Sequence, residues 1–96
     1  MRTEYQARWV SKGRAEALRK VGTQGQALLL DTFNGLIVVE PRGSHLGDGP
    51  ALSRAEADYE LQPVWYLGPK ARLREARERL GLRADSLAGR LAEPVR

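Results

Sequence analysis

The chain has 96 residues, no cysteine, 16 basic and 12 acidic side chains and a formal net charge of +4. That length makes one domain with a thin core, and the missing cysteines exclude disulfides, thiolate metal sites and cysteine nucleophiles. The longest apolar runs, 27–30 and 36–39, are too short to span a bilayer, and Met1-Arg2-Thr3-Glu4-Tyr5 lacks the apolar stretch of a signal peptide, so a cytoplasmic protein without membrane contact is expected.

In chain order, residues 3–9 alternate as a strand does, with Thr3, Tyr5, Ala7 and Trp9 on one face and Glu4, Gln6 and Arg8 on the other. Ser11 offers an N-cap to a helix over 13–21, whose Ala15, Leu18 and Val21 share a face and which Gly22 stops. Residues 27–33 and 36–40 flank Asn34-Gly35, the preferred pair for a two-residue hairpin turn. In that register Phe33 faces Leu36 and Leu30 faces Val39. Leu28, Leu30, Ile37 and Val39 then fall on one face, and Leu29, Phe33, Leu36 and Val38 on the other, so both faces carry apolar groups.

Residues 41–52 hold three glycines and two prolines and read as a loop. Ser53-Arg54-Ala55-Glu56 is a capping box opening a short helix, closed by Pro63. Residues 64–67 read as a short strand. Gly68-Pro69 turns the chain into a helix over 70–80, with Leu73, Ala76 and Leu80 as its apolar stripe and Gly81 as its cap. A last helix is expected over 84–92, ended by Pro94.

Residues 2–67 thus give the order β-α-β-β-α-β, the ferredoxin-like split βαβ pattern of the α+β class. A basic helical hairpin over 69–96 completes the single domain 1–96. Right-handed crossovers in such a fold put both helices on one face of the sheet. The face carrying Leu29, Phe33, Leu36 and Val38 would then stand open for the C-terminal helices, a second subunit or a ligand. Such a fold hosts many functions and implies none.

Residues 70–90 hold seven basic and three acidic side chains, which is the whole net charge of the chain. Lys70, Arg74 and Arg77 lie at i, i+4 and i+7, a stripe that would track phosphates. Arg74 with Glu78, and Glu75 with Arg79, are also pairs that any solvated helix would carry. Ser44, His45 and Asp48 have the residue types of a hydrolytic triad, but three such groups within five loop positions do not adopt that geometry. One histidine with scattered carboxylates lacks metal-ligand spacing, and Gly47-Asp48-Gly49 lacks the full phosphate-cradling glycine pattern. Six aromatics (Tyr5, Trp9, Phe33, Tyr59, Trp65, Tyr66) leave the third strand bare, and the basic-Gly-aromatic signature of RRM-type modules is missing.

Arg72-Leu73-Arg74-Glu75-Ala76-Arg77-Glu78-Arg79-Leu80-Gly81-Leu82, followed by Ser86-Leu87-Ala88 and Arg90-Leu91, resembles the first two helices of Cro/repressor-type helix-turn-helix domains. The match covers about a fifth of the chain and includes no recognition helix. No DNA-reading residue is carried over from it.

The expectation is a non-enzymatic binding module without metal or cofactor. In one form it contacts nucleic acid, DNA or RNA, through Lys70, Arg72, Arg74, Arg77, Arg79 and Arg8. In the other it binds protein through Leu29, Phe33, Leu36 and Val38, as a homodimer, on an acidic protein surface, or as a small inhibitor or adaptor of a larger assembly.

Overall fold

The computed structural model describes residues 3–22 and 27–82. Its elements are β1 (Tyr5–Val10), α1 (Lys12–Val21), β2 (Leu28–Thr32), β3 (Gly35–Pro41), α2 (Arg54–Glu60) and α3 (Lys70–Arg79). The three strands make one antiparallel sheet in the order β1-β3-β2. Because β1 and β2 each run antiparallel to β3, they are parallel to each other, and α1 crosses over the strand between them. The chain is therefore a small α+β domain. The helix expected over 84–92 lies outside the described residues.

Local chemistry sets the helix ends. The Ser11 hydroxyl accepts from the Arg14 N–H at 3.2 Å, and the Gly22 N–H closes α1 on the Leu18 carbonyl at 2.8 Å. At α2 the capping box is reciprocal: the Glu56 N–H donates to Ser53 Oγ at 3.1 Å and the Ser53 N–H to Glu56 Oε1 at 2.8 Å. Those bonds hold the Glu56 carboxyl below its ordinary range.

The hairpin turn is centred one residue earlier than Asn34-Gly35 predicts. Thr32 pairs with Gly35 and Leu30 with Ile37, so Phe33 and Asn34 are the loop residues. Gly35 has φ +147°, and a side chain there would meet the Trp9 ring at 2.9 Å. This glycine is used for the close approach of Trp9 rather than for the turn. The register slides by two positions across the pair, so the strand residues keep their faces, while Phe33 leaves the second face for the turn.

Helices cover both faces, not one. Ala7, Leu30, Ile37 and Val39 pack against Ala57 and Leu61 at α2 and against Leu73 and Ala76 of α3, with Tyr5 and Trp9 at the margin. On the other face Val10, Leu29 and Val38 pack against Ala15 and Leu18 of α1, with Leu36 beside them. The cause lies in the hairpin itself: with apolar groups on both faces, each face needs cover, and each fully buried aliphatic side chain is worth roughly 1.5–3 kcal/mol. Val21, expected on the packed face of α1, is 81% exposed.

The sixth element also differs from the expected order. Residues 64–67 give only one bridge, Tyr66 to Thr32, on the outer edge of β2. The outer edge of β1 is taken by the preceding loop: the Trp9 N–H donates to the Pro50 carbonyl at 3.1 Å and the Leu52 N–H to the Ala7 carbonyl at 2.8 Å. With that edge occupied, the following segment pairs at the opposite one.

Candidate functional site

The apolar stripe of α3 decides which of its cations are available. Leu73 and Ala76 are buried, and Arg77, one residue past Ala76 and four past Leu73, falls at the edge of that buried arc. It is 7% exposed. Its Nη2 donates to Asp58 Oδ1 at 2.8 Å and its Nη1 to the Leu61 carbonyl at 3.0 Å. Arg77 therefore ties α3 to the end of α2 and is withdrawn from the surface stripe predicted for it. Arg79 is half-buried; it pairs with Glu75 at 2.6 Å, and its guanidinium stands 5.1 Å from the centre of the Tyr5 ring. Arg8 is half-buried on the α1 face, next to Gly47, and its Nε has no hydrogen-bond partner among the described residues.

Lys70, Arg72 and Arg74 stay exposed. Among the described residues the Lys70 ammonium donates only to the Pro63 carbonyl, at 3.4 Å. Arg72 and Arg74 make no side-chain hydrogen bond or ion pair among the described residues. An open apolar groove of about 420 Å³ runs beside Pro63, Lys70, Leu73 and Arg74. Arg72 lies near Tyr66, whose hydroxyl is pushed up by burial, with the Arg72 charge opposing that shift.

The predicted protein interface is redistributed. Leu29 and Val38 are buried and Leu36 is half-buried, all under α1. That correction has a simple cause: the face they share is the floor of the second core. Only Phe33, in the hairpin turn, stays in water, with 71% of its surface exposed. It joins a group that spacing along the chain does not reveal. Its ring centre is 6.1 Å from that of Trp65, and Tyr59 stands 5.4 Å from Trp65 on tilted planes. Val64 and Leu67, on the same connecting segment, are exposed as well. Asn34 Nδ2 donates to Glu60 Oε1 at 2.9 Å and ties the turn to α2. The sequence signal for this group is the aromatic content of 59–66, but its gathering around Phe33 depends on the pairing of 65–67 with β2.

Ser44, His45 and Asp48 are not brought together as a triad. The Asp48 carboxylate accepts from the Ser11 N–H at 2.8 Å and from the Ser11 hydroxyl at 2.6 Å, bonds that hold it below its ordinary range. The Ser44 carbonyl accepts from Gln6 at 3.0 Å, and His45 is exposed. Among the described residues no three His, Cys, Asp or Glu side chains gather as metal ligands, and no helix is long and apolar enough to cross a membrane. No protein-family model, curated protein or solved structure matches this chain.

Proposed function

We propose that the chain is a non-enzymatic binding module that contacts nucleic acid through the exposed cations of α3, Lys70, Arg72 and Arg74, in a cytoplasmic setting. The observation that supports this reading is clustering. Among the described residues, Lys70, Arg72 and Arg74 are three exposed cations within five positions of α3 that hold no carboxylate, while Arg77 and Arg79 of the same helix each hold one. Unpaired, solvated guanidinium and ammonium groups in a cluster suit phosphate oxygens and release counterions on contact.

The test is an anisotropy titration of labelled oligonucleotides across a salt series. Affinity is expected to fall with salt, log K against log salt having a slope of about −0.7 per contact on a single strand and about −0.9 on a duplex. The double reversal Arg72→Glu/Arg74→Glu should weaken binding at least about tenfold and flatten that slope by roughly two contacts. No binding at low salt, or binding indifferent to the reversal, sinks the proposal.

A second reading, capture of a protein or a second copy of the chain, is favoured by the exposure of Phe33, Val64 and Leu67. Phe33→Asp would then abolish association measured by light scattering while the fold persists, and unchanged association would refute it.

A further inference from the structure

We infer that Phe33, Tyr59 and Trp65 form a platform on which unpaired bases stack, so that the nucleic acid taken up beside α3 is single-stranded. This rests on the nucleic-acid reading above and adds the class of ligand. Phe33 sits in a two-residue turn where a polar side chain would be at least as stable, yet 71% of its surface is in water. The ring planes of Phe33 and Trp65 are tilted by 43°, and those of Tyr59 and Trp65 by 42°. Rings tilted in this way are not stacked flat on one another, and Tyr59 still exposes 44% of its surface.

The chain itself links this platform to the unpaired cations. Trp65 and Lys70 are five positions apart, a span of at most about 18 Å even when fully extended. The Lys70 ammonium folds back onto the Pro63 carbonyl at 3.4 Å, two residues before Trp65. Exposed π faces next to solvated cations are what a single strand requires: each base offers a face for stacking, and each phosphate a charge. A duplex hides its base faces within the helix and shows only groove edges and phosphates, so it would engage Lys70, Arg72 and Arg74 and leave the rings idle. An apolar protein surface would bury Val64 and Leu67 but gain nothing from three unpaired cations at its margin. The complementarity therefore favours the single strand.

The test pairs one substitution with two ligands. Phe33→Leu keeps an apolar side chain at an exposed site and removes only the π face. Labelled oligothymidylate and a duplex of equal length are titrated at low salt against the wild type, Phe33→Leu and Arg72→Glu/Arg74→Glu. The single strand should bind at least about tenfold more tightly than the duplex. Phe33→Leu should cost about five- to tenfold on the single strand alone, and the charge reversal should weaken both ligands. Binding should also quench tryptophan emission, and Trp65→Phe, which leaves Trp9 in place, should lose that quenching. Equal affinities, or a single-strand preference undiminished by Phe33→Leu, overturn the platform while the nucleic-acid reading stands. Failure of both ligands to bind at low salt overturns both.

Discussion

Arg74 and Arg77 share one side of α3, and only their depth separates an available charge from a structural one. Arg77 reaches across to Asp58 and the Leu61 carbonyl at the end of α2, and its burial makes those partners obligatory, because a desolvated guanidinium without them is costly. Arg77→Ala should therefore destabilise the domain by about 2–3 kcal/mol, below the roughly 3–5 kcal/mol of a fully buried pair, since the Asp58 side chain is 38% exposed. Arg77→Met, which keeps the packed stem, should cost less. Arg74→Ala should change stability by no more than about 0.5 kcal/mol while weakening oligonucleotide affinity. Urea denaturation of the three variants checks the assignment, and equal losses at positions 74 and 77 would contradict it. The i, i+4, i+7 spacing places Lys70, Arg74 and Arg77 on one side of the helix. It could not tell which of them meets a neighbouring element, because Asp58 and Leu61 come from a different part of the chain.

The segment 42–52 behaves as a strap along β1 rather than as a free loop. Its backbone pairs with β1 through Gly49, Pro50 and Leu52, the buried Glu40 carboxylate accepts from the Leu46 N–H at 2.9 Å, and Arg14 Nε donates to the Leu46 carbonyl at 2.8 Å. Gly47 lets the strap lie this close: a Cβ there would stand 2.9 Å from Arg8 Cβ and 3.0 Å from both the Trp9 carbonyl oxygen and Val38 Cγ1. Gly47→Ala should therefore lift the strap and cost about 1–3 kcal/mol, as overpacking does; a neutral result by thermal melting would mean the strap is loosely held. Asp48 adds a pH dependence. Its carboxyl is depressed by the two Ser11 bonds, so its contribution is complete above the unfolded value of about 4 and is lost as pH falls through the lower folded value. Asp48→Asn should lower the melting temperature at neutral pH and leave it nearly unchanged well below about pH 4, where the native carboxyl is already protonated, so the acid limb flattens; an unaltered limb would assign the acid sensitivity to other carboxylates, Glu56 among them. The two helix N-caps were legible in sequence because each bond spans three residues. The strap was not: glycine and proline announce a bend, but the partner that makes Gly47 necessary lies 39 positions earlier, at Arg8.

At the scale of the whole molecule, the sheet is closed on every side that would invite a partner. Residues 49–52 occupy the outer edge of β1 and residues 65–67 that of β2, which blunts pairing with a second chain through a free edge. The two faces are covered by α1 and by α2 with α3. Alternation along 28–39 correctly implied that both faces are apolar, but period-two patterning cannot say which element covers which face, since helices reach either side by connections of similar length. The hairpin provides a matched test of the layered arrangement. Val38 and Val39 are neighbours on β3, both 0% exposed, and face opposite layers. Val38→Ala removes two methyl groups under α1, and Val39→Ala removes the same two under α2 and α3, so the transfer terms are equal and only cavity relaxation differs. Each should destabilise by about 1.5–3 kcal/mol in urea denaturation, with unchanged m-values. Were the Val38 face open, as two helices stacked on one side would leave it, Val38→Ala would be nearly neutral beside a costly Val39→Ala. Equal losses require α1 to sit where it does, with the hairpin strands buried between two layers and Phe33 at the tip exposed.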